Sequence, residues 1–325
     1  MSSVLSEQNS SKEEPITIVK YSSDHKAEWD EFVSNSKNGV FLFYRDYMEY
    51  HSDRFVDHSL LFFHAGRLVA LLPANIDDET LYGHGGLTFG GVITQRSMKT
   101  PLMISIFRSL MQHCRDLGLK EIVYKTIPYI YHTVPADEDL YALFLVNARL
   151  MARNVSSAIY LPQTRKFDAN RLDNIRKAKR NQITVRESSD FDAFMKIEQQ
   201  ALSERHGVKP VHTVEEIKLL AGRFPNNIRL FASFKGDVML AGVIMYESPN
   251  VAHMQYAGNS KQGWNIGAQD IIEDYLINDY YKDKKYFDFG ISTENCGQIL
   301  NRGLAAYKEG FQASTVVYDF YRLPI

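Results

Sequence analysis

The sequence predicts a mixed α/β (α+β) protein made of two copies of one unit, each a mixed, mostly antiparallel sheet flanked by helices. Three observations lead there. The order of strand and helix patterns that begins at Ile16 recurs from Ile183. An apolar hairpin falls at the same place in both copies. A basic stretch without Gly or Pro stands between them. The boundaries are a disordered tail over 1–15, a first unit over 16–165, a linking helix over 166–182 and a second unit over 183–325.

In the first unit "ITIVKY" from Ile16 reads as a strand, and helical spacing follows around Trp29–Val33 and Tyr44–His51. The run "SLLFFHAGRLVALLPA" places two apolar segments around a Gly-containing turn, which is a hairpin signal. A strand then leads into the glycine-rich "LYGHGGLTFGG". The helix "PLMISIFRSLMQHCRDLG" starts with Pro101 and stops at Gly118, the positions these residues favour. A strand "EIVYKTI", a helix across "DEDLYALFLVNARLMA" and a strand "SSAIYLP" complete the unit.

The second unit repeats this order. "ITVRES" is a strand, "DFDAFMKIEQQALSERHG" and "TVEEIKLLAGRF" are helices, and "IRLFASFKGDVMLAGVIMYE" is a hairpin turning at Lys235–Asp237. After the strand "VAHMQYAG" comes "GAQDIIEDYLINDYYKD", a helix with Ala268, Ile271, Ile272, Tyr275 and Leu276 on one face. Strand "YFDFG", helix "LNRGLAAYKEG" and strand "STVVYDFYRLP" close the chain. In that last helix Leu300, Leu304, Tyr307 and Phe311 are expected to pack inward, with Lys308 at the edge of the stripe.

Composition excludes several classes. At 325 residues, 45% hydrophobic and 23% charged, the chain is ordinary for a soluble globular protein of two domains. A net charge of -2 gives no global attraction to nucleic acid or anionic membrane. Two cysteines, Cys114 and Cys296, do not make a disulfide framework and fit a reducing compartment. No apolar run is long enough to span a bilayer, and "MSSVLSEQNSSKEEP" lacks a signal-peptide core, so a cytoplasmic protein without membrane insertion is expected. Its oligomeric state is not readable.

The chain has no Walker A sequence, no HExxH, no CxxC and no GxSxG, and its histidines show no metal-ligand spacing. Two local features stand out. In "YAGNSKQGWNIGAQD" a Gly-containing loop feeds a helix start, which is either an ordinary turn or a phosphate site built from free N–H groups and the helix dipole. In "RKFDANRLDNIRKAKRNQ" the cations Arg171, Arg176, Lys177, Lys179 and Arg180 form either a solvated helix face or a contact for an anionic ligand.

The second unit resembles the GNAT (Gcn5-related N-acetyltransferase) fold. The whole chain, so doubled, is similar to FemA/FemB/FemX-type peptidyltransferases and their BioF2-like "acetyltransferase 6" relatives. The residues that carry the resemblance are "NIRKAKRNQITVRES", "HMQYAGNS", and "FDFGIS" followed by "LAAYKEGF", with "GVFLFYRDYMEYHSDRF" and "GLTFGGVI" in the first half. It implies a tandem GNAT-like acyl-CoA N-acyltransferase fold in which an amine attacks an activated acyl group directly, through a tetrahedral oxyanion. It implies a splay between central strands that admits the donor. In the peptidyltransferases a lysine in an "FK" sequence before an aromatic residue stabilises the oxyanion. Lys308 of "AYKEGF" matches it, and Asp288, at the end of the preceding strand, either orients it or is structural.

By the same resemblance Gly258, Asn259, Gln262, Gly263, Gly267 and Ala268 border the donor pocket, since "QGWNIGA" approximates the Gln/Arg-x-x-Gly-x-Gly/Ala pyrophosphate loop. Tyr44, His51, Arg176 and Tyr256 fall at acceptor positions. Phe43-Tyr44 and His51 stand where the peptidyltransferases carry a Gln-Ser pair and a basic residue for a nucleotide-linked peptidoglycan precursor, so that acceptor is not implied. No permanently bound cofactor is expected. The co-substrate is acyl-CoA and the acceptor a small-molecule or peptide amine; alternatively, the resemblance implies a FemABX-type peptidyltransferase that extends a cell-wall peptide from aminoacyl-tRNA touching the basic helix 171–180. A non-catalytic binding module on this scaffold is the remaining alternative.

Overall fold

A computed structural model describes residues 14–206 and 211–325, with nothing described for the side chains of 202–206. All but the last two residues of the tail expected over 1–15 lie outside them.

The first unit contains strands β1 (Ile16–Lys20), β2 (Leu60–His64), β3 (Arg67–Leu72), β4 (Ile93–Thr94), β5 (Glu121–Lys125) and β6 (Arg149–Tyr160). Its main helices are α1 (Lys26–Asn35), α2 (Thr100–Asp116) and α3 (Glu138–Leu145). The linking helix is α4 (Ala169–Arg180). The second unit has β7 (Thr184–Ser188), α5 (Phe191–His206), α6 (Val214–Arg223), β8 (Ile228–Lys235), β9 (Val238–Glu247), β10 (Val251–Asn259), α7 (Asp270–Tyr275), β11 (Tyr286–Ile291), α8 (Arg302–Glu309) and β12 (Ser314–Pro324).

In each unit the first four of these strands form an antiparallel meander, β1-β2-β3-β4 and β7-β8-β9-β10. The hairpins fall where the apolar runs place them. Their turns use Ala65-Gly66 and Gly236 in the left-handed region, which Gly adopts without steric cost.

The last two strands of each unit depart from simple duplication. The order across the large sheet is β7-β8-β9-β10-β11-β6-β12-β5, continued by the short strands Thr80–Tyr82, Asn75–Asp77 and Val56–Asp57. β6 of the first unit therefore pairs with β11 and β12 of the second, and β12 pairs with β6 and β5 of the first. The two units exchange their final strands. β6 also begins earlier than the sequence pattern suggests. The region read as one helix to Ala152 ends at Leu145; Asn147 takes φ 55°, and the strand starts at Arg149. A long strand is needed there because it must span two partners.

The core is likewise shared. One apolar cluster joins Trp29, Phe41, Phe43 and Phe89 of the first unit to Phe194, Leu230, Tyr246 and Tyr256 of the second. A second lies under α4, α7 and α8, with Phe231, Phe287, Phe289 and Phe311. Among the described residues no helix is long and apolar enough to cross a membrane. Cys114 is buried and Cys296 exposed, and both are free.

Candidate active site

β10 and β11 run parallel but pair only at Val251↔Tyr286, Ala252↔Phe287 and His253↔Asp288. Beyond that point the strands part, while β10 continues to Asn259. The parting opens on a cavity of about 720 Å³ walled by β10, α4, α7 and α8, where Met254, Ala257, Asn259, Gln269, Leu304 and Lys308 are among the lining residues. A smaller space of about 390 Å³ adjoins it at Asn259 and Trp264 and forms the mouth.

The corresponding gap in the first unit is filled. Tyr124 of β5 accepts the Val92 N–H at 2.7 Å and donates to Asp139 at 2.7 Å. Lys125 donates to the carbonyls of His84 (3.0 Å) and Leu87 (2.8 Å). A Cβ on Gly91 would sit 2.9 Å from the Lys125 carbonyl oxygen, so only glycine allows this approach. Among the described residues the cavity of about 720 Å³ opens at the splay of the second unit.

β11 turns at Gly290, which takes φ 76° where the register with β6 shifts. The turn aims two carbonyls at α8, and Lys308 Nζ donates to both, Gly290 O and Ile291 O, at 2.8 Å each. Lys308 is 3% exposed and lines the cavity. Burial draws its pKa down to about 8, against the pull of Asp288 and Glu273. The inward face of α8 differs from the expected stripe. Ala305 and Lys308 are its buried residues, while Leu300 and Leu304 are exposed, Leu304 over the cavity. The lysine is a buried member of the helix face, not its edge.

Asp288 does not hold Lys308. Its side chain leaves β11 on the other side of the sheet and is fully buried. Oδ1 accepts from Ser156 Oγ (2.6 Å) and Gly290 N (3.0 Å). Oδ2 accepts from Tyr131 (3.0 Å), Tyr318 (2.6 Å) and His253 Nδ1 (2.9 Å). Burial alone would raise its pKa, but the pairing with His253 and the hydrogen bonds from Ser156 and Tyr318 outweigh it and hold the carboxyl well below its usual range. Asp288 and Lys308 thus meet through the Gly290 turn, one bound to its N–H and the other to its C=O.

Of the expected donor-loop residues, only Asn259 lines the cavity. Gly258 is packed under Glu198 of α5, and a Cβ on Gly263 would run into the side chain of Asn259 and the Leu240 carbonyl. Gly267, at φ 74°, lies against the Asn174 carbonyl of α4. Ala268 is core, and Gln262 is exposed. These glycines serve close packing. The helix start is also acidic. Asp270 is bound by Arg171 (2.7 Å) and Asn174 (3.2 Å), and Glu273 accepts from Tyr307 (2.5 Å) and Gln269 (3.2 Å). Burial raises the Glu273 carboxyl to about 8, more than those bonds lower it.

The expected acceptor residues are not brought together. Tyr44 stacks on Phe224. His51 lines a separate cavity of about 280 Å³ in the first unit, its ring 5.2 Å from that of His84. Tyr256 points to the opposite face of β10 and bonds His212, which also bonds Tyr50 at 2.6 Å. Arg176 is at the surface with Asp173 (2.7 Å). The basic helix is largely neutralised, since Arg171 pairs with Asp270 and Lys179 with Asp274 (3.2 Å). The residues missed by sequence reasoning are His253 and Glu273. The "HMQYAG" strand displayed His253, but its partner Asp288 lies 35 positions away.

No curated protein sequence matches the chain. Solved structures do, at identities that speak for fold. FemX covers 97% of its own chain and 95% of this one, with TM-score 0.68 at 10% identity. The C-terminal domain of a putative lysylphosphatidylglycerol synthetase from Agrobacterium fabrum gives TM-score 0.59 at 12% identity, covering 92% of both chains. A tandem GNAT protein from the clavulanic acid biosynthesis pathway gives 0.52 at 10%, covering 95% of this chain and 98% of its own. Residues 163–309, a little under half of the chain, match the family described as Acetyltransferase (GNAT) domain, and the chain as a whole shares its fold with FemX and with the tandem GNAT protein.

Proposed function

We propose that the second unit transfers an acyl group from an acyl-CoA-type donor to an amine, with the reacting carbonyl at the point where β10 and β11 part. One observation carries this reading: the open splay after His253↔Asp288, with its cavity of about 720 Å³ and a buried lysine in the wall. The unpaired edge of β10 offers backbone groups to an extended donor. An ammonium has three N–H donors. Lys308 uses two on Gly290 and Ile291, and the third serves the oxyanion that forms as the amine adds. Both carboxyls at the start of α7 already have partners, Asp270 in Arg171 and Glu273 in Tyr307 and Gln269, so this reading assigns the donor's phosphates to the mouth by Trp264.

The sequence contains two tryptophans, and Trp29 is fully buried against the Phe43 carbonyl, whereas Trp264 is 57% exposed at the mouth. Titration of the full chain with acetyl-CoA, CoA and an aminoacyl-tRNA should therefore change Trp264 emission for the true donor. Mass spectrometry of a panel of primary amines should then show a new amide. Silence of Trp264 with every donor, together with no amide, ends the acyl-transfer reading. A response to aminoacyl-tRNA alone replaces the thioester by an ester donor.

A further inference from the structure

We propose that His253, oriented by Asp288, is the base that takes the proton from the attacking amine. This inference rests on the acyl-transfer reading above. His253 is the last residue of β10 paired with β11, so its ring stands at the apex of the splay. Its Nδ1 donates to Asp288 Oδ2 at 2.9 Å, which fixes the ring and leaves Nε2 as the lone-pair nitrogen. Among the described residues Nε2 makes no hydrogen bond. The ring lies across the Gly290 turn, where a Cβ on Gly290 would come 3.4 Å from His253 Cε1. The same turn presents its carbonyl to Lys308 from the cavity side. Base and ammonium thus flank one backbone turn from opposite faces of the sheet, the arrangement needed by an acyl carbon approached from one side by its donor and from the other by its nucleophile.

Beside His253 lies a void of about 10 Å³, room for one water, among Phe41, Phe89 and Tyr131 of the first unit and Tyr246 and Gln255 of the second. The titratable groups around the ring are Asp288 of β11, Tyr131, Tyr318 of β12 and Tyr246 of β9, with Lys308 beyond the turn. Burial pushes all three tyrosines up, so they stay neutral and none of them serves as the base. The step balances without a further reactant. The amine nitrogen bonds to the acyl carbon, its proton passes to Nε2, and the C–S bond breaks. The imidazolium, facing an ionised Asp288, returns the proton to the departing thiolate or to water.

The test compares wild type, His253→Gln and His253→Ala. Trp264 titration should show unchanged donor affinity in all three, because the ring lies outside the donor cavity. Turnover should fall by about 10²–10⁴-fold, the range for removing a general base. The acidic limb of the wild-type pH–kcat profile should vanish in His253→Gln, and added imidazole should restore part of the His253→Ala rate. A His253→Gln protein with wild-type turnover and pH profile overturns the inference alone. A wild type that forms no amide and binds no donor overturns it together with the reading on which it stands.

Discussion

Lys308 Nζ lies 2.8 Å from the carbonyl oxygen of Gly290, across a turn that only a residue at φ 76° can make. The lysine thus has a structural duty besides any chemical one. Lys308→Met leaves the Gly290 and Ile291 carbonyls without their donor, at a cost of about 1–3 kcal/mol for a buried group, offset in part because no cation is buried. Turnover should fall by about 10²–10³-fold if the ammonium also serves the oxyanion, with donor affinity held. Linkage adds a check. The folded pKa of about 8 lies below the ordinary 10.5, so between these values the unfolded chain holds more protons and wild-type stability rises with pH. Thermal unfolding of Lys308→Met should lack that rise.

Gly267 should prove a packing residue. A side chain there meets the Asn174 carbonyl and must hold φ 74°. Strain of roughly 1–2 kcal/mol for the left-handed backbone adds to about 1–3 kcal/mol for overpacking. Gly267→Val should therefore lower the denaturation midpoint strongly. A variant that folds as well as wild type while losing donor affinity would restore the loop to the site.

The difference between these two residues shows what was legible. Hairpins, helices and the recurrence of their order follow from local apolar spacing, and Lys308, at the edge of an amphipathic helix, is marked by its match to the peptidyltransferase lysine. Gly267 and its neighbours resembled a phosphate loop because a sequence cannot distinguish a glycine that frees an N–H from one that admits a neighbouring helix. The Asp288 network joins Tyr131, Ser156, His253 and Tyr318, residues that only the exchange of β6 and β12 brings to one place. Long-range strand pairing leaves no local pattern.

Glu273 should reveal itself through pH. Its folded pKa of about 8 lies above the ordinary 4.5, so between these values the native state holds the extra proton. The unfolded state then binds fewer protons, and stability falls as pH rises across that window. Glu273→Gln keeps the shape and cannot ionise. Melting temperatures of wild type relative to Glu273→Gln should decline from pH 5 to 8. Parallel curves would mean that Glu273 is ionised in the folded protein.

The strand exchange makes the two halves interdependent. A cut between residues 165 and 166 leaves β6 in the first fragment, although all its sheet partners, β11 and β12, are in the second. β12 is stranded in the same way, since its partners β6 and β5 are both in the first. Each fragment would expose a long strand with unpaired N–H and C=O groups, a template for aggregation. Each would also lose part of the cluster joining Trp29, Phe41 and Phe43 to Phe194, Leu230 and Tyr246. Residues 1–165 and 166–325 expressed singly should be insoluble or lack a cooperative thermal transition. Co-expressed, they should elute as a 1:1 complex with a single transition and recover donor-induced Trp264 emission. Cooperative unfolding of either fragment alone would show that the exchanged strands are dispensable and that the units fold independently.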